Sequence, residues 1–489
     1  MTPRGGASRS GGGRESPGLA ALVCAAAAVV LAGLTGGAPA PALALPEHGT
    51  AAAPIPAFSR MYGTACSTCH TAAPKLNVLG EAFRLNGYRP PETGLLRRRD
   101  DPVSLGAPEW DEAWPRAIRS SDLPGIVPLA LRVVSDVQLT RDEREPYDAT
   151  YRFPHELQLL AGAPLGDDVS VFLEAAWSPD EGFEVSQAKA GLQDPVPGLP
   201  DRALDVWVGL QHAYLLTFAD HHIDRAARQR FAWQAFRPSE VGLALPGGGS
   251  PLRTDNDLDL GRSQPAVEVS GLIGGRLYYG AGLAQGLGDG ATDRNGRKDL
   301  YYKLRYKIGG VDLAGGYEPG GEPTFPMPGQ LFDRTLILEH FGYFGSESTA
   351  ASPQGDHRAF GLAARTLHGP LDLGVGWVFR AFDRPWSDLG TGRLEANSLF
   401  AKAEYLFLPW VIGSMKAEWF DVAEAALPPG VSGAPPPSEA TRLMPGVVLL
   451  LRQNVRLVLE GELFLDLPAT DRAGLPLPHN LWTRLDLAF

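Results

Sequence analysis

Asp299-Leu300-Tyr301-Tyr302-Lys303-Leu304-Arg305-Tyr306-Lys307-Ile308 alternates from end to end. Successive side chains of an extended chain point to opposite faces. Asp299, Tyr301, Lys303, Arg305 and Lys307 therefore share one face, and Leu300, Tyr302, Leu304, Tyr306 and Ile308 the other. The same division recurs where Lys402 and Glu404 oppose Ala401, Ala403 and Tyr405, and where Lys416 and Glu418 oppose Met415, Ala417 and Trp419. Near the end, Arg456, Glu460, Glu462 and Asp466 oppose Leu457, Leu459, Gly461, Leu463 and Leu465. A β-sandwich also alternates, but its strands are joined by loops of similar length at both ends. Here short turns at Gly274-Gly275, Gly309-Gly310, His368-Gly369-Pro370, Leu408-Pro409 and Gln453-Asn454 interleave with long connections at 218–260, 319–356 and 422–439. Short turns at one rim and long loops at the other predict a mainly β chain closed as a transmembrane outer-membrane β-barrel, apolar outside and polar in the lumen.

The strands run from 126–138 to 479–489, and the count is about sixteen when 310–318 is one of them. Thr335–Tyr343 is strand-like as well, which leaves eighteen open. Trp377, Tyr405, Phe407, Trp410 and Trp419 suit the aromatic girdles of such a barrel. The last strand ends on Phe489, resembling the assembly signal of outer-membrane barrels.

At the other end, Arg4, Arg9 and Arg14 precede an apolar run from Leu19 to Leu34 and small residues ending at Ala42-Leu43-Ala44. Residues 1–44 read as a cleaved signal peptide, because the run is short for a membrane span of about 20 residues. Loss of those three arginines and Glu15 takes the formal charge from −12 to −14. So acidic a chain argues against a nucleic-acid partner and favours attraction of cations.

Residues 45–91 form a second unit, joined to the barrel of 126–489 by a linker at 92–125. Its centre is Cys66-Ser67-Thr68-Cys69-His70, two thiols three positions apart with an adjoining imidazole. That is what covalent attachment of one haem c requires: Cys66 and Cys69 add to the vinyl groups and His70 binds the iron as proximal ligand. The remaining cysteine, Cys24, lies in the signal peptide, and a structural zinc site would need a second cysteine pair. For the distal iron position Met61 is nearest in the chain, with His48 a further candidate. His155 and His212 fall on strands with a parity that places them on the apolar side. Residues 76–85 suit a short helix whose Leu76, Leu79 and Phe83 would pack on a porphyrin. Asp220-His221-His222 and Asp255, Asp257 and Asp259 carry metal-ligand types without ligand spacing and read as solvated loop residues.

Ala65 to His70, Pro74, Leu76, the Gly80 and Phe83 pair and Gly87-Tyr88, together with the order of parts, resemble the fused outer-membrane cytochrome-porins of iron-oxidising bacteria. In that family one N-terminal haem c precedes a sixteen-strand barrel. Leu79 departs from it, standing where an aromatic residue is expected. The resemblance implies an electron conduit in the bacterial outer membrane, with the haem segment in the periplasmic mouth or lumen. Electrons would pass from an extracellular donor, Fe(II), to a periplasmic c-type cytochrome, an iron-oxidase-like activity. The chemistry is coherent, since oxidation of Fe(II) at neutral pH gives poorly soluble Fe(III), best left outside the cell. Two alternatives stand beside it. One is a diffusion porin whose haem is a structural or sensory plug, and the other is a haem enzyme with an open iron position.

Overall fold

A computed structural model describes residues 57–91, 98–104, 106, 108–113, 122–141, 148–180, 182–218, 220, 260–286, 297–315, 333–349, 352–383, 393–423, 439–465 and 479–488. The expected signal peptide, His48, His221, His222, the three loop aspartates and Phe489 lie outside them. Sixteen antiparallel strands close into one barrel. They are β1 (Leu129–Arg141), β2 (Asp148–Leu165), β3 (Val169–Ser178), β4 (Gly182–Gln193), β5 (Asp205–Gln211), β6 (Gln264–Ile273), β7 (Leu277–Ala284) and β8 (Asp299–Ile308). The circle continues with β9 (Arg334–Thr349), β10 (Ser352–His368), β11 (Leu371–Asp383), β12 (Arg393–Leu408), β13 (Val411–Ala423), β14 (Glu439–Arg452), β15 (Val455–Phe464) and β16 (His479–Ala488). β16 pairs with β1, Leu481 opposite Leu139, so no edge is left to recruit another strand.

The two faces read from β8 are the two faces of the wall. Tyr301, Lys303, Arg305 and Lys307 are buried inside, whereas Leu300, Leu304, Tyr306 and Ile308 are exposed outside. Charges on the inner face are compensated by neighbours: Lys303 pairs with Glu268 at 2.9 Å, Lys416 with Glu460 at 2.9 Å, and Arg442 with Glu418 at 2.6 Å. Such pairing is what lets ionised groups leave bulk water. The outer apolar belt, with Leu459, Leu463, Leu481 and Leu485 among its exposed members, is the surface that lipid covers in barrels of this kind.

The strand count holds, but two of its members change. Thr335–Tyr343 lies inside β9, and residues 310–315 form turns instead of a strand. The reason is local. Gly309 and Gly310 have φ of 71° and 61°, and the Asp333 carboxylate accepts from Val311 N–H at 3.0 Å, so the pair opens a long excursion and not a hairpin. The long connection therefore sits between β8 and β9 at the short-turn rim, while β9 and β10, expected to be separated by the 319–356 loop, turn tightly with Thr349 paired to Ser352.

Past the end of β5 the chain folds into the lumen. Thr217 and Phe218 N–H groups donate to the Glu339 carboxylate at 3.1 and 2.9 Å, which draws Leu215, Leu216 and Phe218 inward. They join Phe341, Phe400, Met444, Tyr301 and Tyr343 from the inner wall in one buried cluster. His212 and Asp220 are buried there too, 2.6 Å apart, so neither the apolar-face placement of His212 nor the solvated-loop reading of Asp220 holds. His155 also turns toward the lumen carboxylate Asp136, 4.0 Å away, because a register shift opposite it offsets simple parity.

Candidate functional site

The segment 57–91 bonds to barrel residues beside the short turns, Ser170 and Gln453 among them, and is built from short-range bonds more than from periodicity. Helix α1 (Ala57–Tyr62) leads into a single 3-10 turn at Cys66–Thr68, where Cys69 N–H donates to the Cys66 carbonyl at 3.2 Å. His70–Ala72 then pairs with Lys75–Leu76, and helix α2 (Val78–Leu85) follows. Asn77 ties these parts together. Its side-chain oxygen caps α2 by accepting from Gly80 N–H at 3.0 Å, its amide donates to the carbonyls of Ser67 and Thr68 at 3.1 and 3.0 Å, and its backbone N–H donates to Cys69 O at 2.9 Å. The helix start is thereby pressed against the cysteine turn. A Cβ at Gly80 would fall 2.0 Å from the Cys69 carbonyl oxygen, so only glycine admits this approach.

Anchors hold the segment to the wall. Lys75 is fully buried and ion-paired with Asp372 of β11 and Glu404 of β12. Arg89 donates to Ser170 Oγ at 3.0 Å, Gln193 Oε1 at 2.7 Å and Val169 O at 2.8 Å, and Ser67 N–H reaches Gln453 Oε1 at 3.2 Å. Glu81 pairs with Arg305 of β8. Tyr88 stacks between Phe58 and Phe172, ring centres 5.6 and 5.1 Å away. Lys75, Asn77 and Arg89 escaped the sequence reading. The first two stand out only as a lysine and a helix-capping asparagine close after the cysteine pair, and the barrel residues that receive Lys75 and Arg89 are at least 77 positions away.

Between segment and wall lies a cavity of about 440 Å³. Cys66, Cys69 and His70 all line it, with Phe58, Leu76 and Phe83 beside them. The barrel contributes Arg132, Gln158, Glu174, Gln187 and Arg456 to its wall. Both cysteines are free thiols. Burial pushes the Cys66 thiol up and that of Cys69 to about 12. Burial also lowers the His70 imidazole to about 4, so the ring is neutral at physiological pH. His70 Nδ1 lies 3.3 Å from the Pro74 carbonyl, which can only accept. The proton therefore sits on Nδ1, and Nε2 keeps its lone pair for a metal, the arrangement that orients most histidine ligands.

This donor set fits haem c: two thiols for the vinyls, one neutral imidazole for the iron, and apolar rings for the porphyrin. Met61 has a different place. Its side chain is wholly buried among Tyr62, Leu79, Phe83, Tyr88 and Trp207 and does not line the cavity. Leu79, expected on the porphyrin side, packs in that same cluster, whereas Leu76 and Phe83 do face the cavity.

The barrel fold is similar to that of outer-membrane porins. Among solved structures the chain is similar to an anion-selective porin from Comamonas acidovorans, at 15% identity and a TM-score of 0.51 over 74% of this chain and 99% of the porin. It is also similar to the outer membrane channel DcaP of Acinetobacter baumannii, at 10% identity and a TM-score of 0.48, covering 76% of this chain and 97% of that one. Salmonella typhi OmpF matches at 11% identity and a TM-score of 0.47, with 74% and 97% covered. Likeness at such identities is a likeness of fold. No family model matches the chain, and no curated protein is similar to it in sequence.

Proposed function

We propose that this protein is an outer-membrane barrel that holds one haem c in its periplasmic mouth and passes electrons from an extracellular donor, Fe(II) by family resemblance, to a periplasmic c-type cytochrome. The observation that carries the proposal is the meeting of Cys66, Cys69 and His70 on one cavity between segment and wall. Cys66 and Cys69 would fix the porphyrin, His70 would hold the iron, and Asn77 and Gly80 keep all three in place. A bound haem supplies a one-electron change at iron. Phe58, Leu76 and Phe83 exclude water from the buried side, while the rim turn at Gln453 and Asn454 borders the cavity where a periplasmic partner can dock.

A diffusion porin with a haem plug is the second reading, and the barrel's likeness to an anion-selective porin speaks for it more directly than for electron traffic. A buried aromatic cluster speaks for the conduit. Phe218, Phe341, Phe400, Tyr301 and Tyr343 occupy the interior where a solute path needs water. Reconstituted liposomes separate the two. With ferricytochrome c enclosed and Fe(II) outside, the conduit reduces the enclosed protein, His70→Ala abolishes that reduction, and ionic conductance stays low. High conductance of the intact protein with no haem-dependent reduction would favour the porin.

A further inference from the structure

Arg456 faces the cavity from the same stretch of wall that holds the chain on either side of His70. It lies on β15, between Gln453 of the preceding turn and Val458, and both of those neighbours meet the segment beside the imidazole. Ser67 N–H donates to Gln453 Oε1 at 3.2 Å, and Ala72 joins Val458 in one buried cluster. Arg456 and Val458 share the inner face, both buried, and the arginine lines the cavity together with His70. Burial holds the His70 ring neutral, and the charges of Arg456 and Arg132 press the same way. Asp486, opposite Arg456 on β16, accepts from Arg456 Nε at 2.9 Å and from Arg132 Nε of β1 at 2.8 Å, so two guanidiniums share one carboxylate. Farther round the wall the cavity meets Glu156 of β2 and Glu174 of β3, which accept from Gln158 at 2.6 Å and Gln187 at 3.1 Å. Lys75, the cation nearest His70 in the chain, is engaged by Asp372 and Glu404.

We propose that Arg456 is the wall residue that sets the potential of the haem iron, and that the other charges of the cavity act on it in the order of their strands, from β15 round to β3. This deepens the haem reading above and rests on it. Loss of an electron from ferrous haem adds one positive charge at the iron, and in a buried cavity of low dielectric a nearby cation opposes that step. Asp486 fixes Arg456 in place but cannot cancel both guanidiniums that it binds. The iron is thereby held at a raised potential, which suits acceptance of electrons from Fe(II). Sequence alone hides the role, since Arg456 is one more charged residue of an alternating strand until Ser67 and Ala72 settle on either side of it.

The midpoint potential of purified haem-loaded protein tests this, followed spectroscopically so that the visible bands report iron ligation in every variant. Arg456→Gln is expected to lower the potential most and Arg132→Gln less, while Glu174→Gln raises it only slightly and Arg456→Lys stays closest to wild type. Arg442→Gln removes an arginine of β14 that is held by Glu418 and Glu462 away from the cavity lining, and it should leave the potential unchanged. Should Arg456→Gln fail to accumulate, Asp486→Asn probes the same charge with the opposite sign, a raised potential. An unchanged potential in Arg456→Gln, or in Asp486→Asn in its place, would overturn the assignment. So would a shift as large in Arg442→Gln or Glu174→Gln, or one that appears only with altered ligation bands. Wild-type protein without covalent haem would instead sink the haem reading and this inference together.

Discussion

The barrel wall and the segment it encloses obey different rules. Along the wall one decision repeats many times: every second side chain faces lipid, and its neighbour meets a partner across the lumen face. Segment 57–91 has no such repeat. Its shape comes from single bonds that nothing duplicates, such as Asn77 bridging the helix start and the cysteine turn, or Gly80 meeting the Cys69 carbonyl. The wall is consequently redundant and the segment is not, so equal chemical changes should have unequal effects in the two.

Glycine substitutions should break the comparison most sharply. Gly80→Val drives a side chain into backbone that cannot yield, and the expected result is loss of covalent haem, checked by haem staining of denaturing gels. Gly461→Ala in β15 places its Cβ no nearer than 3.5 Å to Pro445, an ordinary contact, and should leave haem content and folding unchanged. Comparable haem content in both variants would mean that the cysteine turn does not depend on close approach.

Within the wall the two faces should differ next. Leu459→Arg sets a charge on the lipid face at a cost of roughly 2–4 kcal/mol near the midplane, and urea titration of folding into lipid should register it. Glu460→Gln, one residue on, keeps a hydrogen-bonding group beside Lys416 and should insert much closer to wild type. Equal losses would contradict the face assignment.

Alternation made that assignment legible, since each residue of 299–308 behaves as its parity says. Parity failed where long-range contacts overrode it. His212 stands past the end of its strand, and His155 faces a register shift that only the partner strand reveals. The glycine pair at 309–310 resembled a hairpin because its long-range partner, Asp333, is not adjacent in sequence. At the site, Cys66, Cys69 and His70, adjacent in the chain, line one cavity, whereas Met61, also near in the chain, packs outside its lining. Its packing against Trp207 of β5 depends on how segment and wall meet, which no local pattern encodes.

Smaller effects refine the picture. Asn77→Ala removes the α2 cap and should cost about 1 kcal/mol, measured by thermal unfolding, with a further loss from the freed turn carbonyls showing as lower haem content. In a haem-free Cys66→Ser/Cys69→Ser variant, the His70 ring should titrate near pH 4 and not near 6.5 in NMR of labelled histidine. The unfolded chain binds that proton first, so stability is complete above 6.5 and falls as the pH drops toward 4. A titration near 6.5 would mean that the ring is not enclosed by the cavity.

The intact mass of the mature protein, purified from cells that attach haem c, bears most directly on the idea that Cys66, Cys69 and His70 hold a haem against the lumen. The expected mass is that of the chain plus one haem, persisting under denaturing conditions and lost in the Cys66→Ser/Cys69→Ser variant. A mass equal to the chain alone, or a haem that survives loss of both thiols, would contradict it.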